Sequence, residues 1–101
     1  MPSSKEYLNF ILDQLSNLDD ITYRFMMGEY IIYYKGKIIG GVYDDRFLVK
    51  ITNSSTKLLA NASKEYPYDG GSLMYLVSDV DDKSFLEKLV LEMYEELPKR
   101  K

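Results

Sequence analysis

The segment from Gly28 to Lys50 constrains the fold most, because its apolar residues recur at the period of two that is typical of β-strands. Two pairs of turn residues, Lys35-Gly36 and Asp44-Asp45, interrupt this alternation. A further strand is expected before them, near Tyr23 to Met27. The pattern therefore predicts an antiparallel meander of four strands.

Two-residue turns fix the register of such a meander and so assign each side chain to a face. The expected pairs are Tyr33 opposite Ile38, Ile31 opposite Gly40, Val42 opposite Phe47, and Gly40 opposite Val49. The face expected to lie under the helices carries Ile31, Tyr33, Ile38, Val42, Phe47, Val49 and Ile51. The opposite, outer face then carries Tyr30, Ile32, Tyr34, Ile39, Gly41, Tyr43 and Leu48, which is unusually apolar for a solvated surface.

The pair Gly40-Gly41 within the predicted third strand has two possible structural interpretations. Large side chains on the neighbouring strand can pack across the two glycines without disturbing the register. Alternatively, the glycines mark a β-bulge or a close approach of two backbones.

Helices are expected before and after the meander in the sequence. Apolar residues recur every three or four positions from Lys5 to Leu18, which predicts an amphipathic helix of about four turns, and Ser3 with Glu6 fits a capping box. Asp19-Asp20 marks its end. The same periodicity from residue 85 to residue 97 predicts a second long helix that stops before Pro98.

The composition of the stretch between the meander and the last helix predicts a short helix, a loop and a strand. Thr52 or Asn53 can cap a short helix that contains Leu58 and Leu59, residues 63–72 form a loop, and residues 73–77 form a fifth strand. The order α-β-β-β-β-α-β-α describes one domain, residues 1–101. It is a two-layer α+β fold, with a mainly antiparallel sheet of about five strands and helices on one face.

The composition narrows the possible chemistry. The chain contains no histidine and no cysteine, which removes the usual general base, thiol nucleophiles and thiolate or imidazole metal ligands. No G-x-S-x-G, S-x-x-K or Walker motif occurs. We therefore expect a non-enzymatic protein with no catalytic residue, no cofactor site and no metal site.

Charge and hydropathy bear on partners and location. The net charge is −3, and the basic residues cluster only at the tail, residues 99–101, so direct nucleic-acid binding is a minor alternative. No apolar run is long enough for a signal sequence or a membrane span. A cytoplasmic location without membrane contact is expected.

The apolar outer face suggests a contact surface, since the chain holds ten tyrosines and tyrosine is enriched at interfaces. We expect a homodimer or a complex with another protein, and the candidate interface residues are Tyr30, Ile32, Tyr34, Ile39, Tyr43 and Leu48. The alternative is a small-molecule-binding protein or an unusual enzyme. Its pocket would lie between the sheet and the 63–72 loop, with Arg24, Arg46 or Lys50 binding an anion.

The segments "RFMMGEYIIYYKGKIIGGVYDDRFLVK" and "YPYDGGSLMYLV" resemble the TfoX N-terminal domain family, named for a bacterial regulator of DNA-uptake competence. The positions that match the family motif are Arg24, Met26, Gly28, Tyr30, Gly36 and Lys50. The resemblance implies a two-layer α+β domain with a regulatory role linked to transcription or competence. The competence regulators carry a second, helical domain after this one, so the resemblance is to their N-terminal half.

Overall fold

Three helices and six strands make up the fold of this protein. The structure, a computed structural model, describes residues 4–98. The helices are α1 (Lys5–Gln14), α2 (Asn53–Leu58) and α3 (Lys83–Tyr94). The strands are β1 (Ile21–Met26), β2 (Glu29–Tyr34), β3 (Lys37–Tyr43), β4 (Arg46–Val49), β5 (Lys64–Glu65) and β6 (Met74–Leu76). The α+β class is confirmed, and the one additional strand, β5, lies inside the segment expected to be a loop.

All strands belong to one antiparallel sheet in the order β1-β2-β3-β4-β6-β5. The first four strands are neighbours in sequence and in space, as expected for a meander. Strand β6 pairs with β4, and the short β5 pairs with β6 at one edge of the sheet. Strand β1 forms the other edge.

Tight turns join the four meander strands. The two central residues of each turn have positive φ: 55° and 86° at Met27-Gly28, 50° and 82° at Lys35-Gly36, and 54° and 55° at Asp44-Asp45. This is the pattern of type I′ turns, whose twist matches that of the flanking strands. The two expected turns are therefore confirmed, and Met27, which the sequence placed at the end of a strand, belongs to a third turn.

Polar side chains cap the helices. The hydroxyl of Ser4 accepts a hydrogen bond from the Tyr7 amide at 3.1 Å. The predicted cap residue, Ser3, lies outside the described residues. Helix α1 ends at Gln14, about one turn earlier than expected, and turns lead from there to β1. Thr52 caps α2 as one of the two expected choices, and Asp82 caps α3.

Two polar interactions fix the carboxyl end of α3. Lys37 donates from Nζ to the Tyr94 carbonyl at 2.9 Å, and its ammonium lies 4.0 Å from the centre of the Tyr94 ring. The carboxylate of Glu96 accepts hydrogen bonds from the amide and the hydroxyl of Ser54, at 2.9 and 3.0 Å. The bond from the Ser54 amide is the main reason that the pKa of Glu96 is lowered. These contacts join α3 to β3 and to the start of α2.

A β-bulge in β3 decides which side chains enter the core. Tyr33 pairs with Ile38 as expected, but Ile32 pairs with Gly40, so Ile39 is an extra residue without a partner on β2. A Cβ atom on Gly40 would lie 2.0 Å from the Leu48 carbonyl oxygen. The glycine therefore permits a close backbone approach at the bulge, and the second of the two interpretations is correct.

The bulge reverses the predicted faces of β2 and of the start of β3, because one extra residue moves the whole alternation to the other side of the sheet. Ile31 pairs with Gly41, and the expected pair of Ile31 with Gly40 is wrong. Beyond the bulge, the pairs Val42–Phe47 and Gly40–Val49 are as expected. The buried sheet residues that face the helices are Tyr30, Ile32, Tyr34, Ile39, Val42, Phe47, Val49 and Tyr75.

Four of the six predicted interface residues are therefore core residues. Tyr30, Ile32, Tyr34 and Ile39 pack in the cluster formed with α1 and α3, and each is at most 8% exposed. Ile31, Tyr33 and Ile38, which were expected in the core, lie on the other face. Ile51 was also expected in the core and is 42% exposed.

The helix side holds the large core of the molecule. Its helical members come from one face of α1 and one face of α3, and they include Leu8, Ile11, Leu86, Leu89 and Met93. This agrees with the expectation of helices on one face of the sheet. Among the described residues, no helix has both the length and the apolar character needed to cross a membrane.

Candidate functional site

The face of the sheet opposite the helices, here called the outer face, carries a second and smaller apolar cluster. Tyr43, Leu48 and Met74 are its buried members, with Ile31 and Leu76 packed against them. Tyr43 and Leu48 were correctly placed on this face by the sequence. They are only 4% and 0% exposed, however, so they do not form an open interface as predicted.

The segment of residues 66–73, here called the cover loop, is held beside this cluster by Arg46. The Arg46 guanidinium forms an ion pair with Glu65 at 2.5 Å and donates from Nη2 to the carbonyls of Tyr66 and Pro67 at 3.3 and 3.5 Å. Its Nε donates to the Tyr43 carbonyl at 3.1 Å. All three guanidinium nitrogen atoms of Arg46 thus donate hydrogen bonds within the chain, and its proposed role in binding an anion is not supported.

Side-chain packing adds to this attachment. Pro67 is buried, and the ring of Tyr68 lies 6.2 Å from the ring of Tyr43 at an interplanar angle of 49°. The Gly71 amide donates to the Tyr68 carbonyl at 3.0 Å, which closes the turn of the loop. The cover loop therefore has a defined position over the part of the outer face that holds Tyr43.

A groove of about 500 Å³ lies between the cover loop and the outer face. This is where the sequence placed a pocket. The side chains that line it are Met26, Ile31, Tyr33, Ile38, Tyr43, Lys50, Ile51, Pro67, Tyr68, Ser72, Leu73 and Met74. A second cavity of about 340 Å³ shares four of these residues and adds Met27, Glu29 and Asp69. The lining is mostly apolar, and the volume lies in the range of small-ligand sites.

The basic and acidic side chains that line these two cavities lie at different positions along the strands. Lys50 lines the larger cavity and is half-buried, and its ammonium group has no hydrogen-bond or ion-pair partner among residues 4–98. Glu29 and Asp69 line only the second cavity, beyond Met26 and Tyr43. One end of the combined groove is therefore positive and the other end is negative.

Tyr43 forms part of the floor between these ends. Burial, with smaller contributions from the neighbouring Tyr68 and Glu29, raises the pKa of its phenol to about 12. At neutral pH this phenol is fully protonated. Tyr43 therefore offers the groove a hydroxyl group and an aromatic surface, and it carries no charge.

The positions of the family motif have different roles in the structure. Met26 and Lys50 line the groove, Gly28 and Gly36 occupy turn positions with positive φ, and Tyr30 is in the core. Arg24 lies on exposed β1 and lines a separate cavity of about 310 Å³ with Thr22, Tyr23, Tyr33 and Gly36. The structure does not bring Arg24 and Lys50 into one site.

The groove residues Ile31, Tyr33 and Ile38 were not identified from the sequence. Strict alternation assigned them to the core, and the signal that could have found them was the pair Gly40-Gly41. Placing a bulge there moves all three to the outer face.

Strand β1 is exposed along most of its length. Phe25 is 62% exposed, and Met27, in the turn that follows, is 95% exposed. The rings of Tyr23 and Phe25 lie 5.9 and 5.1 Å from the ring of Tyr30, at the margin of the helix-side core. The sheet therefore ends in an apolar edge strand.

These features define a class of protein: a two-layer α+β domain whose sheet carries helices on one face and a loop-bounded apolar groove on the other. The TfoX N-terminal domain family matches residues 13–96, and the chain belongs to that family. A relative in Spirochaeta aurantia, described as an uncharacterized 12.7 kDa protein in the trpE 5′ region, is 27% identical over 84 residues. That match covers 83% of this chain and 73% of the relative. No solved structure matches the chain.

Proposed function

We propose that this chain is a non-enzymatic regulatory module that acts through protein contacts and pairs with a second copy of itself along β1. The observation that carries the proposal is the exposed edge of the sheet, where β1 presents backbone groups and large apolar side chains to solvent. Exposed edge strands pair readily with other strands, and natural proteins usually protect them with proline, charged side chains or bulges. Strand β1, with the sequence ITYRFM, has no proline and a single charged side chain, Arg24.

The pairing of β1 with β2 determines which backbone amide and carbonyl groups of β1 point away from the sheet. The two-residue turn at Met27-Gly28 closes on the pair Met26–Glu29, and the Asp20 carbonyl accepts a hydrogen bond from the Lys35 amide. In an antiparallel pair, alternate residues direct both backbone groups to the partner strand. Ile21, Tyr23 and Phe25 therefore direct their amide and carbonyl groups away from β2.

If two copies pair about a two-fold axis through Tyr23, all of these amide and carbonyl groups can form hydrogen bonds between the copies. In that arrangement Tyr23 lies opposite Tyr23 of the second copy, and Ile21 lies opposite Phe25 of the second copy, so that the two sheets become continuous. Thr22 lies opposite Arg24 of the second copy on the outer face. The alternative axis through Arg24 places two like charges opposite each other, which is destabilising. We therefore propose the axis through Tyr23.

The experiment compares wild-type protein with Tyr23→Lys by analytical ultracentrifugation over a wide range of protein concentration. The wild-type protein should form a dimer. The variant should be monomeric, with an unchanged circular dichroism spectrum, because two lysines would meet at the axis. A contact of one strand lies near the lower limit for stable interfaces, roughly 1,200 Å², so a reversible dimer is expected.

The matched control is Tyr66→Lys, which makes the same change at another exposed tyrosine, on the cover loop. This variant should dimerise like the wild-type protein. A wild-type monomer at every concentration would contradict the proposal, and so would a Tyr23→Lys variant that still dimerises.

The wider role follows from the family and is part of the same proposal. We place the module in the cytoplasm and in regulation linked to transcription or competence, because the family is named for a competence regulator. Its contacts in that role are with protein. Direct contact with nucleic acid is not part of the proposal.

A further inference from the structure

We infer that the groove between the outer face and the cover loop binds a small amphipathic carboxylate, with its carboxylate at Lys50 and its apolar body along the strands towards Met26. This inference goes beyond the proposed self-association and does not depend on it. It is carried by the shape of the groove and by the arrangement of charge along it.

The body of the ligand must be apolar, because the floor and walls of the groove are. Ile31 and Ile38 form the floor on the sheet, Leu73 and Pro67 lie on the cover loop, and Met26 lies at the far end. Covering these side chains removes apolar surface from water at about 25 cal/mol per Å². Met26 is flexible and can adapt to ligands of different shape.

The head group must be an anion, because the only unpartnered charged side chain of the larger cavity, among the described residues, is Lys50. Arg46 is already engaged by Glu65 and by the cover loop. At the other end, Glu29 and Asp69 repel an anion, so the ligand has one favoured direction. Lys50 can donate charge-assisted hydrogen bonds to a carboxylate.

The dimensions of the groove set the size of the ligand. Tyr43, at the far end of the groove, is paired with Arg46, and Arg46 lies four residues before Lys50 in the chain. Four residues of a strand span about 13 Å, so this is the approximate distance from Lys50 to the far end. A carboxylate with a medium-length alkyl chain fits this distance, with its end at Met26 and Tyr43.

The test uses octanoate as the probe and 1-octanol as the neutral probe of the same chain length. Binding is measured by calorimetry, and the methyl NMR signals of Ile31, Ile38 and Met74 report the position of the ligand. Lys50→Met keeps the length of the side chain and removes its charge. This variant should bind octanoate about tenfold more weakly and should bind 1-octanol as the wild-type protein does.

The matched control is Lys88→Met, which removes an exposed ammonium from α3 on the other side of the sheet. Octanoate affinity should not change in this variant. Equal octanoate affinity in Lys50→Met and wild-type protein would overturn the inference. Octanoate that leaves the methyl signals of the groove unmoved would also overturn it.

The same titration in the Tyr23→Lys variant separates this inference from the proposed function. Octanoate should bind that variant with wild-type affinity, because Tyr23 does not line the groove. A wild-type protein that dimerises but does not bind octanoate would refute the ligand site alone. A wild-type protein that binds octanoate but never dimerises would refute the self-association alone.

Discussion

At the scale of single residues, the environment of a side chain decides its chemistry more than its type does. Arg24 and Arg46 are both on strands of the same sheet, yet only Arg46 is engaged by Glu65 and by loop carbonyls. Lys37 stacks on Tyr94, whereas Lys50 lines an apolar groove. These differences arise from neighbours that are distant in sequence.

Tyr43 gives a prediction about pH. Burial raises the pKa of its phenol to about 12, whereas the phenol of an unfolded chain ionises near pH 10. The raised pKa links the stability of the folded state to pH. Its contribution to the free energy of unfolding is fully present below about pH 10 and is lost as the pH rises towards 12, because only the unfolded state releases this proton in that interval. Tyr43→Phe should therefore lose less free energy of unfolding than the wild-type protein between these pH values.

The measurement is urea denaturation at several alkaline pH values, together with the tyrosinate absorbance difference between the two folded proteins. The absorbance difference should rise near pH 12. If it rises instead near the pH at which free tyrosine ionises, the burial of Tyr43 does not control its titration.

At the scale of secondary-structure elements, the bulge in β3 is the decisive feature. Ile38 and Ile39 are consecutive in the chain, but Ile39 is fully buried under the helices and Ile38 lines the groove on the outer face. The sequence alone gives the two isoleucines the opposite assignment.

Aspartate substitutions at these two positions test the assignment. Ile39→Asp should destabilise the protein by about 4 kcal/mol or more, because it buries a carboxylate without a partner in the main core. Ile38→Asp serves as the matched control and should cost about 1 kcal/mol. Urea denaturation measures both values. A larger loss for Ile38→Asp than for Ile39→Asp would show that the unbulged register is the correct one.

At the scale of the whole molecule, the two faces of the sheet are unequal. The helix side is closed by α1 and α3, whereas the outer side has a smaller apolar cluster and a loop beside it, and β1 leaves one edge of the sheet open. The larger core therefore lies on one face, and the groove on the other face and the edge remain available for contacts.

Self-association links the stability of the molecule to its concentration. If the dimer forms only from folded chains, mass action raises the melting temperature with protein concentration. For a domain of this size we expect about 3 °C for each tenfold increase above the dissociation constant. Scanning calorimetry at several concentrations measures this shift, and the Tyr23→Lys variant should not show it. A concentration-independent melting temperature in the wild-type protein would argue against a folded dimer.

The parts of the fold that depend on near neighbours could be predicted from the sequence. The turns at Lys35-Gly36 and Asp44-Asp45, the cap at Thr52 and the amphipathic stripes of α1 and α3 follow from backbone conformation and from periodicity within a few residues. The α+β class follows from the order of these elements. A groove beside the 63–72 loop, with Lys50 as a lining residue, was also anticipated, although Ile31, Tyr33 and Ile38 were not placed in it.

The sequence by itself thus determined the elements, their order and most of their pairing. Only the tertiary structure decided which face of β2 lies under the helices, because one extra residue at Ile39 reverses the alternation and is stabilised by packing across the whole sheet. The tertiary structure also decided the role of Arg46, since its partners in β5 and the cover loop lie about twenty residues away. Short-range preferences act within a turn of the chain, whereas the faces of a sheet are chosen by contacts between distant residues.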